Sequence, residues 1–163
     1  MRRIKLDRID RRILRDLQSD GRMTNVELAR RADISAPPCL RRVRALEEAG
    51  FIRGFHADID PALLGFGVTV FASVGLSSQA ETDLRAFEDL VGSWPEVREC
   101  HMLAGENDFL LRIVAQDWDT YQRFLTTRLT AAPNVSHVKS ALAIRSSKEL
   151  PGVPIEEEVP EPA

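Results

Sequence analysis

The sequence predicts an α+β chain: a small helical head, a linking strand and a larger body of four strands and two helices. Three observations predict it. The first fifty residues repeat apolar side chains at helical spacing, punctuated by turn and cap signals. After Phe51 the period drops to two. From Val68 on, strand, helix, strand, strand, helix and strand patterns follow one another. Charge divides at the same place. Residues 1–50 hold 13 Lys and Arg against 8 Asp and Glu, a net +5, and the remainder holds 9 against 17, a net −8. A basic head on an acidic body points to nucleic acid as the head's partner.

The head reads as three helices. Leu6 to Gln18 is the first, opened by Asp7 or a neighbour, with Ile9, Ile13, Leu14 and Leu17 as its apolar stripe. Asp20-Gly21 signals a turn. Thr24 and Glu27 have capping-box spacing, each able to satisfy a free backbone donor of the other. The second helix runs to about Arg31 and buries Val26, Leu28 and Ala29, and Ala32-Asp33-Ile34 is a tight turn with Ile34 inward. Ser35 caps the third helix, Pro37 and Pro38 fall in its first turn where a missing N–H costs little, and Gly50 stops it. At about 100° per residue, Ala36, Cys39, Leu40, Val43 and Leu46 gather on a core face. Pro37, Pro38, Arg41 and Ala45 lie opposite, flanked by Arg42 and Arg44.

Three short helices with a tight turn before the last make a helix-turn-helix, whose third helix enters the major groove of double-stranded DNA. The candidate DNA contacts are Thr24, Asn25, Ser35, Pro37, Pro38, Arg41, Arg42 and Arg44. A helical bundle with a solvated basic face, used for protein contacts, is the alternative.

Phe55, Ala57 and Ile59 alternate with His56, Asp58 and Asp60, which predicts a hinge strand ended by Pro61. The body follows at Val68–Leu76 (strand), Glu81–Val91 (helix), Val97–Leu103 and Phe109–Ala115 (strands). A helix capped by Asp117 is next, lined by Trp118, Tyr121, Phe124, Leu125 and Leu129, and then a last strand from Val135 to Ile144. This βαββαβ order is the ferredoxin-like arrangement, with helices on one face of a four-stranded antiparallel sheet. A second copy is the simplest cover for the other face. The domains are therefore 1–50 (head), 51–66 (hinge and linker), 67–146 (body) and 147–163, a tail whose prolines and Glu156-Glu157-Glu158 predict disorder.

Several functions are disfavoured. An apolar content of 44% with 29% charged residues is ordinary for a globular protein, and no apolar run approaches the ~20 residues of a membrane span. No signal segment is recognised, and two distant cysteines, Cys39 and Cys100, fit a cytoplasmic protein. His56, His101 and His137 stand apart from other ligands and read as structural or solvent-facing, so neither metal nor cofactor is expected. A redox role for Cys39 is conceivable, but small packing residue is the simpler reading. No nucleophile, base and orienter are grouped in the head, which is read as non-enzymatic.

The residues also resemble a known family. Leu6-Asp7-Arg8-Ile9-Asp10, Ile13-Leu14, Asp20-Gly21-Arg22, Asn25-Val26-Glu27-Leu28-Ala29 and Ile34-Ser35 are similar to the N-terminal domain of Lrp/AsnC transcriptional regulators. So are Pro38-Cys39-Leu40, Arg42-Val43-Arg44, Leu46-Glu47, and Gly50-Phe51-Ile52 with Gly54. Glu99-Cys100-His101, Gly105, Asp108-Phe109-Leu110-Leu111 and Tyr121 continue the likeness, which covers residues 6 to about 148.

The resemblance implies a regulator of amino-acid metabolism genes. It implies homodimers formed through the sheets, assembled further into tetramers, octamers or larger species. It also implies an amino-acid effector, leucine-like among the options, bound between neighbouring dimers near Gly105, Glu106, Asn107 and Asp108. Backbone N–H groups around Gly105 suit the effector's carboxylate, and Asp108 or Glu106 its ammonium. Trp118 and the last strand would line the side-chain pocket. Asp108 as a turn-capping acid is the alternative. Ala141 stands where leucine-responsive members tend to carry an aromatic residue. Two further readings are an enzyme of the sirohaem decarboxylase type, for which no cationic and histidine cluster is seen, and an architectural nucleoid-associated protein, which the acidic net charge disfavours.

Overall fold

The computed structural model describes residues 5–156. It divides into two compact units. One holds the described residues up to Asp58 and from Lys148 on, and the other runs Ile59–Ser147. The parts of the tail beyond Glu156, including Glu157 and Glu158, lie outside the described residues.

In the first unit, α1 (Arg8–Ser19), α2 (Asn25–Arg31) and α3 (Ala36–Glu48) enclose Ile13, Leu28, Ala29, Ala32, Cys39 and Leu46. The first two helices start where a side chain satisfies free backbone donors. Asp7 caps α1 in a full capping box with Asp10, and the Thr24 hydroxyl accepts from the Glu27 N–H at 3.2 Å. The expected reciprocal half at α2 does not form, because the Glu27 carboxylate turns to Arg30 and Arg31, both at 3.1 Å. Ser35 stands at the start of α3 but makes no side-chain cap bond. Two expected core residues are outside: Val26 is 71% exposed and Leu40 40%. Helices of seven and thirteen residues in a three-helix unit bury only a narrow stripe, and both residues sit at its edge.

Residues 51–60 form no strand, contrary to their alternation. A strand needs a neighbour for its backbone donors and acceptors, and among the described residues none pairs with this segment. Phe55 and Ile59 are left exposed.

The second unit is a four-stranded antiparallel sheet in the order β2-β3-β1-β4, made of β1 (Val68–Leu76), β2 (Val97–Met102), β3 (Phe109–Ala115) and β4 (Val135–Leu142). One face is covered by α4 (Glu81–Gly92) and α5 (Trp118–Phe124), the latter continuing into a π-helical stretch, Leu125–Leu129. Alternate residues Val70, Ala72, Val74, Phe109, Leu111, Ile113 and Ala115 meet Phe87, Val91, Tyr121, Phe124 and Leu129 in one core. This is the expected ferredoxin-like order, and β1 and β3 have the expected bounds. Trp118, expected in this core, is 44% exposed, and Ile144 falls beyond β4.

The tail is described as far as Glu156. It has no regular element, yet Val153 exchanges two hydrogen bonds with Gln18 of α1. The Gln18 Nε2 donates to the Val153 carbonyl at 2.8 Å and the Val153 N–H to Gln18 Oε1 at 3.1 Å.

Candidate nucleic-acid interface and effector loop

The outer face of α3 presents Pro37, Leu40, Arg41, Arg44, Ala45 and Glu48 around a shallow open depression. Arg41 and Arg44 are one helical turn apart and exposed, and among the described residues neither has an ion pair. Together with Pro37, Leu40, Ala45 and Glu48 they make up this face, on which they are the two cations.

Arg42 behaves otherwise. Its Nη1 donates to Asp7 Oδ2 at 2.8 Å and Asp10 Oδ1 at 2.7 Å, tying α3 to the cap of α1. Burial works against the Asp7 charge. The Asp10 backbone N–H and the Arg42 guanidinium outweigh it and hold the carboxyl below its ordinary value. The bond to Asp10 leads the causes that push the Arg42 guanidinium up. Asn25 is likewise engaged, donating from Nδ2 to the Ala36 carbonyl at 2.9 Å, so it joins the starts of α2 and α3. Thr24 is spent on its cap. Ser35, Pro37 and Pro38 lie at the N-terminal end of α3, Pro37 exposed and Pro38 half-buried. Cys39 is fully buried, and burial pushes its thiol up, away from the reactive thiolate.

The loop between β2 and β3 holds Gly105, Glu106, Asn107 and Asp108, and it is pinned from several sides. The Asp108 N–H donates to the Val74 carbonyl at 3.0 Å, and the Leu103 N–H to the Asp108 carbonyl at 2.8 Å. Asp108 Oδ2 accepts the Leu76 N–H at 2.7 Å, and Oδ1 accepts Gln79 Nε2 at 2.8 Å. Both carboxylate oxygens are therefore engaged, and their partners are not in the Asp108 turn but on β1 and at Gln79. Glu106 Oε1 accepts Lys139 Nζ at 3.1 Å, and Asn107 Oδ1 lies 3.1 Å from His137 Nε2.

Trp118 is not brought to this loop. Asp117 caps α5 by accepting the Thr120 N–H at 2.7 Å, and Trp118 leans on Tyr121 with ring centroids 5.2 Å apart. Tyr121 in turn is hydrogen-bonded to Ser140 on the helix-covered side of β4. The loop precedes Phe109, and Trp118 follows Ala115. Six residue steps of strand put those anchors about 20 Å apart at opposite ends of β3.

Sequence reasoning missed Gln79, Lys139 and His137 as partners of the loop. The period-two pattern does put 137 and 139 on one side of the last strand, but their pairing depends on the register of β4 against β1, which no local pattern carries. It also missed Asp7 and Asp10 as partners of Arg42, 35 and 32 residues away.

Comparison with known proteins adds to this geometry. A family model described as the Lrp/AsnC ligand binding domain matches residues 69–153, and one described as a winged helix-turn-helix DNA-binding domain matches residues 6–53. The chain is 52% identical over 147 residues to the leucine-responsive regulatory protein of Rhizobium meliloti, covering 90% of this chain and 94% of that one. It is 43% identical over 142 residues to the Bkd operon transcriptional regulator of Pseudomonas aeruginosa, covering 87% and 93%. Among solved structures, a transcriptional regulator from Neisseria meningitidis in complex with L-Met superposes with a TM-score of 0.88 at 35% identity, covering 92% of this chain and 97% of that one. An AsnC family regulator from Agrobacterium tumefaciens gives 0.86 at 37%, covering 91% and 97%.

Proposed function

The chain belongs to the Lrp/AsnC family of transcriptional regulators, and on that premise we propose that it controls amino-acid metabolism genes in the cytoplasm, in response to a small amino acid. The observation that carries the DNA half is the division of labour on α3: among the described residues Arg41 and Arg44 are exposed without an ion pair while Arg42 is held by Asp7 and Asp10. Arg41 and Arg44 contact bases or phosphates, Ser35, Pro37 and Pro38 bring the helix start to the backbone, and Thr24, Asn25 and Arg42 hold the recognition helix in place. An Arg reading a guanine contributes about 1–3 kcal/mol of discrimination.

The loop at Gly105–Asp108 is the effector site in this reading. Asp108 shapes the loop, backbone N–H groups around Gly105 and the Asn107 amide meet the carboxylate, and Glu106, exposed and paired with Lys139, is the acid that meets the ammonium. The Neisseria relative is a complex with L-Met, which supports a small apolar amino acid. Trp118 and the loop lie at opposite ends of β3, which favours a pocket completed by a neighbouring copy. Exposed Phe55, Ile59 and Phe71 favour the same homo-oligomer, with the hinge segment gaining a ladder partner there. The relatives carry the names of regulators, not of enzymes.

The test is light scattering of the full chain with and without L-leucine, L-methionine and other amino acids, together with footprinting upstream of its own gene. A discrete footprint altered by one amino acid supports the reading. A protein that coats all sequences equally is the architectural alternative.

A further inference from the structure

Beside the effector loop, three side chains form a chain of contacts that a proton count constrains. Ser136 Oγ lies 2.9 Å from the Gly75 carbonyl and 3.0 Å from His137 Nδ1, and His137 Nε2 lies 3.1 Å from Asn107 Oδ1. The Gly75 carbonyl only accepts, so the single hydroxyl proton of Ser136 goes to it. His137 Nδ1 must then donate to Ser136 Oγ. A neutral ring so protonated has a bare Nε2, which cannot face an amide oxygen. Two arrangements satisfy every contact. Either His137 carries both protons and Nε2–H donates to Asn107 Oδ1, or the ring is neutral and the amide turns over, so that Asn107 Nδ2 donates to Nε2.

From this we infer that His137 is a positioning and specificity residue of the effector site, which selects whether Asn107 turns its NH2 or its carbonyl away from β4 toward the bound amino acid. With the ring doubly protonated, the NH2 faces outward and suits a carboxylate. With the ring neutral, the carbonyl faces outward and suits an ammonium. The inference rests on the Gly105–Asp108 loop being the effector site.

The ring is seated for this role. A Cβ built on Gly75 would fall 2.0 Å from His137 Cε1 and 2.7 Å from Nε2, so the imidazole lies over bare backbone that only glycine supplies. The seat is at the Gly75/Leu76 irregularity, where the register of β1 against β4 shifts. Such irregularities redirect side chains beside functional sites. The charged residues placed nearest the ring by sequence and register are Glu106 and Asp108, either side of Asn107, and Lys139, two residues along β4. Glu106 and Lys139 pair with each other, and Asp108 is engaged by the Leu76 N–H and Gln79. Gly75 of β1 contributes no charge.

The test uses the full chain. Selective 15N labelling of histidine and asparagine follows the His137 ring nitrogens and the Asn107 side-chain amide from pH 5 to 8 without ligand. The expected result is one shared midpoint, with the amide response abolished in His137→Leu. Calorimetry with L-methionine over the same range should show affinity falling about two- to tenfold as pH rises through that midpoint, the equivalent of one hydrogen bond. His137→Leu should flatten this profile while keeping the wild-type melting temperature. An Asn107 amide that ignores the ring's titration overturns the inference. So does a pH profile unchanged in His137→Leu while Asn107→Ala weakens binding. If instead Asn107→Ala and Glu106→Ala bind L-methionine like the parent, it is the effector reading of the loop that fails, and the ligand-free titration still decides the ring–amide coupling.

Discussion

Arg42 shows how a charge on a recognition helix can be structural. Its two carboxylate partners sit at the start of α1, and one of them, Asp7, also caps that helix. Arg42→Ala should lower the melting stability of the head by about 1 kcal/mol, since the trio is partly solvated. The pH dependence follows in sign. The Asp7 carboxyl is held below its ordinary value of 3.8 in the fold. Its contribution is therefore complete above that value and is lost as pH falls through the lower, folded one. Acid melts below about pH 4 should show a shallower loss in Arg42→Ala than in the parent. Arg41→Ala and Arg44→Ala should leave melting unchanged and weaken operator binding by about 1–3 kcal/mol each where they read a base. Electrophoretic or anisotropy titrations separate the two classes.

At the scale of elements, the crossing of β1 and β4 is a matched pair of residues. Gly75→Ala should destabilise the second unit, because its Cβ would occupy the position of the imidazole. His137→Ala in the same chain should restore most of that loss, a coupling that a double-mutant cycle in urea measures. The tail makes a second such contact. Gly152 has φ +69°, and a Cβ there would fall 2.0 Å from Gln18 Oε1. Gly152→Ala and Gln18→Ala should therefore release residues 148–156, seen as faster proteolytic trimming with little change in head stability.

These elements also show what the sequence could reveal. β1 and β3 are the two central strands, and their alternation is enforced on every second residue by one continuous core, so their bounds were readable directly. The helix caps at Asp7, Thr24 and Asp117 were readable because capping is local. The hinge alternation at Phe55, Ala57 and Ile59 was equally clear but has no ladder partner within one chain, so pattern and structure part there. Val26, Leu40 and Trp118 are apolar residues at stripe edges, where periodicity cannot distinguish burial from exposure. The loop's side chains were identifiable as a group. Their pairings with Gln79, His137 and Lys139 were not, because those depend on sheet register.

For the molecule as a whole, a basic head with two exposed arginines on α3 is joined to an acidic sheet unit that carries a pinned loop. One protomer carries the exposed α3 arginines, yet among the described residues it leaves the hinge segment unpaired and Trp118 at the other end of β3 from the loop. A second copy would resolve both, and light scattering should find no monomer at micromolar concentration. The most direct measurement is a fluorescence titration of an operator duplex across a series of salt concentrations, comparing the parent with the combined Arg41→Ala and Arg44→Ala variant. DNA reading by α3 predicts at least about a tenfold loss of specific affinity and a shallower salt dependence, from fewer neutralised phosphates. A variant that binds the operator with the parent's affinity and salt slope would contradict it.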